Sequence, residues 1–255
     1  MCFAKRNGTE MAKDVSCHIG TSGWHYKHWK GPFYPESFSE KEFLSFYSNH
    51  FNAVEINNSF YKLPDKRILK QWRQTVRDDF IFTVKASRYI THMKKLKEPQ
   101  KSISNFFNTI GNLNNKLGPI LFQLPPNWRI NSKRLEAFMA ELPERQRYVF
   151  EFRDRTWFDN SVYDLLLEYN AAFCIYDLKG KMSPEIVTAD FVYIRLHGPD
   201  KTAYQGSYSK RQLTTWANKF NNWAKEGKEV YCFFDNDQKG YAAKNALTLK
   251  NILNS

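Results

Sequence analysis

Short apolar runs recur along the whole chain, each followed by a loop and then by an amphipathic stretch. Eight of them read as strands: CHIG (17–20), AVEI (53–56), FIFTVK (80–85), GPILFQL (118–124), YVFEF (148–152), AFCIYD (172–177), FVYIRLH (191–197) and EVYCFF (229–234). They are rich in Val, Ile, Phe and Tyr and mostly continuous rather than alternating, as expected of parallel strands covered on both faces. Helical spacing fills the gaps. Ser39 and Glu42 form a capping box ahead of Phe43, Leu44 and Tyr47, and Ser209 with Gln212 forms another ahead of Leu213, Trp216 and Phe220. Asp65 precedes a stripe of Ile68, Leu69, Trp72 and Val76, and further stripes run through Ile103–Leu113, Val162–Tyr169 and Leu247–Leu253. Only the connection 178–190 is too short for a long helix. This rhythm predicts an α/β fold, a single TIM-type (β/α)8 barrel of parallel strands over residues 16–255. Residues 1–15 read as a poorly ordered N-terminal extension. A doubly wound sheet is the alternative, but no GxGxxG or GxxxxGK[ST] follows any strand.

Composition narrows the class. With 255 residues, 42% hydrophobic and 16% aromatic, the chain can bury a sizeable core, which excludes disorder. No apolar run approaches membrane-spanning length. The start, MCFAKRNGTEMAKD, has no apolar core or small-residue cleavage site of a secretory signal, so a cytoplasmic location is expected, away from membranes. Cys2, Cys17, Cys174 and Cys232 show no CxxC pair and no metal-ligand spacing, so no thiol chemistry is expected. The net charge of +12, from 38 Lys and Arg against 26 Asp and Glu, favours acidic partners.

Candidate chemistry lies where strands end, the place at which such barrels build their sites. Seven of the eight strands finish in a charged or amide residue, and buried charge is costly unless paired or used. Glu55 and Asn57 share one face of the second strand, Glu151 and Arg153 one face of the fifth, and Arg195 and His197 one face of the seventh. Lys85, Gln123, Asp177, Asp235 and Asn236 close the others. The strand starts carry no such pattern in this reading. The aromatic loop GTSGWHYKHWKGPFY (20–34) follows the first strand and is expected to wall the pocket through Trp24.

The segments GTSGWHYKHWKGPFYP, VEINNSFYKLP, FTVKASRYITH, GPILFQLPP, VFEFRDRTW, VYIRLHG and FFDNDQKGYAAKNA occur in order from about residue 18 to residue 253. In these segments the chain resembles the YecE-like family, the domain of unknown function numbered seventy-two in its series. The resemblance implies a TIM-type barrel in a soluble, mostly bacterial protein, and it implies no particular reaction. Asp235 departs from the family pattern, which usually has Asn before Asn236, and so adds a negative charge at the cup.

Three functions compete. The favoured one is an enzyme acting on a small, phosphate-bearing anion by hydrolysis or isomerisation. Its acid–base groups would come from Glu55, Glu151, His197 and Asp177. Lys85, Arg153 and Arg195 would hold the anion. Trp24, Asn57, Tyr61, His92, Gln123, Trp157, Tyr208, Asp235 and Asn236 would complete the substrate site. No metal and no cofactor are expected. A metal-assisted hydrolase or isomerase using Glu55, Glu151, Asp177 and His197 as ligands is the second reading. A nucleic-acid-binding or nucleic-acid-processing protein is the third. It would use a basic rim of Lys85, Arg88, Lys94, Lys95, Lys97, Lys179, Lys181, Lys201, Lys210 and Arg211 around an aromatic pocket. The sequence commits to no oligomeric state.

Overall fold

Each of the eight apolar runs forms a strand in the computed structural model, which describes residues 17–255. The expected extension 1–15, with Cys2, lies outside the described residues. The barrel strands are β1 (Cys17–Thr21), β2 (Ala53–Ile56), β3 (Ile81–Lys85), β4 (Leu117–Leu124), β5 (Tyr148–Phe152), β6 (Ala172–Leu178), β8 (Phe191–Leu196) and β9 (Glu229–Phe234). A two-residue strand, β7 (Lys181–Met182), folds back antiparallel on the end of β6, and this hairpin replaces the helix that 178–190 is too short to make. Parallel ladders run in the order β1-β9-β8-β6-β5-β4-β3-β2.

The helices follow the same rhythm: α1 (Phe43–His50), α2 (Lys66–Thr75), α3 (Pro99–Ile110), α4 (Ser132–Met139), α5 (Asn160–Glu168), α6 (Lys210–Lys225) and α7 (Tyr241–Leu253). Asp65 caps α2 by accepting from the Arg67 N–H, and Ser209 with Gln212 closes a full capping box on α6. At α1 only half of the predicted box forms, with the Glu42 carboxylate accepting from the Ser39 N–H at 2.8 Å. Ile68 leaves the predicted stripe of α2 and is exposed. Helix α4 adds to the helices predicted, capped by Asn131 and buried through Leu135, Phe138 and Met139.

The barrel closes between β1 and β2 with almost no backbone ladder. One bridge, Ser22 to Glu55, and the Gly23 N–H donating to Glu55 O at 2.9 Å complete the ring at the top. Lower down, side chains replace the missing pairs. Asn52 accepts from the Ile19 N–H at 3.1 Å and donates to Cys17 O at 3.0 Å. The Tyr47 hydroxyl accepts from the Thr21 N–H at 2.8 Å and donates to Ala53 O at 3.2 Å. Four backbone groups that the missing ladder would leave orphaned, Cys17 O, Ile19 N–H, Thr21 N–H and Ala53 O, are thereby satisfied. Gly20 is required here because a Cβ would lie 2.0 Å from Ala53 O.

Side-chain alternation separates two layers. Outward residues form the large core between strands and helices. Inward residues, among them Ala53, Leu121, Val149, Cys174, Phe191, Tyr193, Tyr231 and Phe233, fill the barrel. The next inward positions towards the strand ends are Glu55, Gln123, Glu151, Arg195 and Asp235. The apolar filling therefore forms the floor of a polar cup.

Candidate active site

Arg195 is the hub of the cup. It is 1% exposed, and its guanidinium reaches three carboxylates, two on other strands and Asp235 just past the end of β9. Nε and Nη2 donate to Glu55 at 2.7–3.1 Å, Nη1 donates to Glu151 Oε2 at 2.9 Å, and Nη2 donates to Asp235 Oδ2 at 3.0 Å. The carboxylates have further donors. Glu55 accepts from Ser22 Oγ and from the Tyr193 hydroxyl, each at 2.7 Å. Glu151 accepts from Gln123 Nε2 at 2.8 Å and pairs with Arg153 Nε. Buried charge is tolerable only when paired and hydrogen-bonded in this way. Burial alone would raise the Glu151 carboxyl, but Arg153 and Arg195 outweigh it and hold the group well below the usual range. The Asp235 carboxyl is likewise lowered, chiefly by Arg195 against the opposing effect of burial.

His197 completes the lattice. Its Nδ1 lies 3.0 Å from Asp235 Oδ2, and its Nε2 lies 3.1 Å from Arg153 Nη2. Since Arg153 can only donate, Nε2 accepts and Nδ1 carries the proton that goes to Asp235. Burial, reinforced by Arg195, pushes the imidazole down to about 4, so it is neutral at physiological pH. Arg153 is thus gripped by Glu151 and His197, and its guanidinium carbon lies 5.1 Å from the centre of the Tyr176 ring. Its Nη1 has no partner among the described residues. Beyond it opens a cavity of about 1010 Å³ whose charged lining consists of Arg153, Arg155, Lys179, Lys181 and Lys201, with no carboxylate.

Lys85 stands apart from the lattice. Among the described residues its Nζ takes no hydrogen bond or ion pair, and it sits 4.3 Å over the centre of the Phe60 ring. Burial and the nearby Arg195 pull the ammonium down to about 8. His92, on a π-helical turn (Tyr89–Met93), packs edge-on against the same Phe60 ring at 4.9 Å. Burial, with Lys85 and Arg88 beside it, pushes that imidazole down to about 4.

The structure therefore brings Glu55, Glu151, His197, Asp235, Arg153, Arg195 and Gln123 into contact and sets Lys85 and His92 beside them. Other candidates lie elsewhere. Asp177 points away from the interior and accepts from the Tyr208 hydroxyl at 3.1 Å, behind the strand. Asn236 donates to Gly206 O and to Asn245 Oδ1, again on the helix side. Trp157 is buried against Phe152 and donates to Trp128 O. Trp24 packs edge-on against Trp72 and, with Asn57, lines a separate cavity of about 280 Å³. Tyr61 is 74% exposed. The aromatic loop is mostly satellite core, with Trp29 and Tyr34 fully buried and Tyr34 stacked on Phe43 at 4.0 Å.

Sequence reading missed Ser22, Thr83, Tyr176 and Tyr193. Thr83 Oγ1 and the Tyr193 hydroxyl are 3.0 Å apart, which ties β3 to the Glu55 contact. Tyr193 shares an alternating face with Arg195 and His197, a signal visible in YIRLH. Among the described residues, no three His, Cys, Asp or Glu side chains are placed to hold a metal ion. Arg195 itself fills the space between the carboxylates. No helix of the described residues is long and apolar enough to cross a membrane.

A family model described as "Protein of unknown function DUF72" matches residues 18–255. The UPF0759 protein YunF of Bacillus subtilis (strain 168) is 26% identical over 269 residues, covering 92% of this chain and 94% of that protein. The UPF0759 protein YecE of Escherichia coli (strain K12) is 30% identical over 118 residues, 45% of this chain and 43% of that protein. The crystal structure of a DUF72 family protein from Thermotoga maritima MSB8 superposes with a TM-score of 0.85 at 30% identity, over 94% of this chain and 99% of that one. A DUF72 family protein from Enterococcus faecalis V583 gives a TM-score of 0.79 at 19% identity, over 94% of this chain and 96% of that one, a likeness of fold alone.

Proposed function

The chain belongs to the DUF72 family, and from that premise we propose that it is an enzyme acting on a small phosphate-bearing substrate by acid–base chemistry at the C-terminal face of the barrel. The observation that carries this reading is the shared position of Arg153. It is fixed on one side by the buried lattice and opens on the other into a cavity lined by four more cations and no acid. Arg195 is excluded as the anion ligand by its own contacts, since Glu55, Glu151 and Asp235 take up its donors. The anion sits on Arg153 instead, with Lys179, Lys181 and Lys201 adding field. A guanidinium held in place before binding gives forked contacts to phosphate at little ordering cost.

Proton transfer falls to the edge of the lattice rather than its centre. Glu55 and Glu151 are fully buried and committed to donors, and His197 is neutral with its acceptor nitrogen occupied. Lys85, without a partner among the described residues and pulled down to about 8, is the cup group nearest the range suited to acid–base work. His92 stands beside it as a neutral acceptor.

Thermal unfolding in inorganic phosphate tests the reading. Phosphate at ten times its Kd stabilises the parent by about 1.4 kcal/mol relative to sodium chloride of matched ionic strength. Arg153→Ala abolishes that gain. The exposed double substitution Lys181→Ala, Lys201→Ala weakens it while leaving the lattice untouched. No gain in the parent, or an undiminished gain in Arg153→Ala, contradicts the proposal.

A further inference from the structure

We propose that Lys85 is a carbonyl nucleophile, and that the substrate carries an aldehyde or ketone that Lys85 captures as an imine while Arg153 holds the phosphate. This rests on the phosphate-bearing substrate proposed above and narrows its class to carbonyl-bearing phosphates.

Four observations converge on Lys85. Every other ionisable group at the heart of the cup is tied down: Glu55, Glu151 and Asp235 to Arg195, and His197 to Asp235 and Arg153. Lys85 Nζ alone among these has neither a hydrogen bond nor an ion pair among the described residues. Its contact is an apolar ring, Phe60, and although Glu151, Glu55 and Asp235 lie near enough to favour its charge, burial and Arg195 outweigh them. Lys116 shows the contrast, since its buried ammonium donates to Arg73 O, Val76 O and Arg77 O at 2.7–3.0 Å. An ammonium whose donors are spent in that way is structural, whereas an undersolvated amine beside other cations is an activated nucleophile.

The electrostatics agree with the geometry. With its pKa pulled down to about 8, about a tenth of Lys85 is uncharged at pH 7, against roughly one in 2,500 for an ordinary lysine. Position fits as well. Lys85 ends β3 and Arg153 follows β5, so the two lie two strands apart, roughly 10 Å across the sheet. A short carbon chain with a carbonyl near one end and a phosphate at the other spans that separation.

The step balances without any further reagent. Lys85 loses a proton, and the Nζ lone pair adds to the carbonyl carbon while the C–O π pair moves to oxygen. That oxygen takes up the proton, giving a carbinolamine. A second proton then moves from the nitrogen to the hydroxyl, which leaves as water, and the nitrogen lone pair freed in that way forms the C–N π bond of the protonated imine. Overall the lysine ammonium and the carbonyl give iminium and water. The iminium then serves as an electron sink for breaking a bond on the adjacent carbon.

Reductive trapping decides the matter. Glycolaldehyde phosphate and sodium cyanoborohydride are added to the full chain at pH 8, and adducts are mapped by peptide mass spectrometry. The inference expects Lys85 to be modified at least about tenfold faster than an exposed lysine such as Lys66, a conservative fraction of the difference in neutral amine. Inorganic phosphate slows the reaction at Lys85 and not at Lys66. Lys85→Arg, checked for cooperative unfolding, loses the fast adduct. Modification of Lys85 no faster than of Lys66 overturns the inference. If phosphate still stabilises the parent protein in that case, the phosphate site stands and only the imine falls. If phosphate gives no stabilisation, the proposed function fails on its own test.

Discussion

The barrel carries an ion cluster at each end, and the two are built differently. At the C-terminal end Arg195 and Glu55 are 1% and 0% exposed in their side chains, and three carboxylates converge on one guanidinium. At the N-terminal end Arg147 pairs with Glu229 at 39% and 33% exposure. Arg147 also donates to the Tyr231 hydroxyl at 3.1 Å and lies over the Phe191 ring, while His18 stacks on Tyr231 at 4.5 Å. The lower cluster is self-contained and wet, closing the bottom of the barrel. The upper one is dry, and it leaves a guanidinium and an amine facing outward. Exposure and leftover valence, rather than the presence of charge, distinguish a site from a plug.

The largest expected difference is in stability. Arg195→Met leaves Glu55, Glu151 and Asp235 buried without their common partner and should cost about 3–5 kcal/mol in denaturant unfolding. Arg147→Met breaks a half-exposed pair and should cost under about 1 kcal/mol. Equal losses would erase the distinction between the two ends.

Acid separates them next. His197 is held neutral, with its pKa lowered from 6.5 to about 4. The unfolded chain therefore binds the extra proton first, and stability falls as pH drops from 6.5 towards 4. The loss is on the order of 3 kcal/mol. Glu229 at the lower end is pulled down to about 2, through its His18 contact first and its Arg147 pairing as well. Its contribution is present above about 4.5 and disappears only as pH falls towards 2. Unfolding midpoints followed from pH 8 to pH 3 should show the first decline in the parent, and a flatter slope between 6.5 and 4 in His197→Gln. An unchanged slope in that variant would remove His197 from the account.

The seam should respond more mildly. Tyr47→Phe leaves the Thr21 N–H and Ala53 C=O unpaired inside the β1–β2 junction and should cost about 1–3 kcal/mol. Phosphate stabilisation, expressed as a free-energy increment, should persist in that variant, because neither end loses a charge. Loss of the increment would tie the site to barrel closure.

The strands were legible because each is a short apolar run of the right length, and all eight occur within a residue or two of the expected bounds. Alternation also placed Glu55, Glu151, Arg195 and His197 together. Position at a strand end groups Asp177 with them, but Cys174 and Tyr176 face inward, so Asp177 faces the helices and meets Tyr208. The same parity sends Asn236 outward and keeps Asp235 in the cup. The lower cluster went unforeseen, because the strand starts carry no recurring pattern of charged or amide residues like that of the strand ends. His18 and Glu229 lie at the starts of strands and Arg147 just before one, yet Arg147 and Glu229 are 82 residues apart. Only barrel closure makes them neighbours. Helix α4 escaped for a simpler reason: its apolar stripe is three residues in eight, and unlike α1 no capping box precedes it, since Arg134 stands where Asn131 would need Glu or Gln.

The central claim is that the dry lattice presents Arg153 to an anion. A crystal grown without phosphate and then soaked in it measures this most directly. The account predicts tetrahedral density within about 2.7–3.0 Å of Arg153 nitrogen atoms, facing Lys179, Lys181 and Lys201, with Arg195 still bound to its carboxylates. Density at Arg147, or a clear cavity beside Arg153 at saturating phosphate, would contradict it.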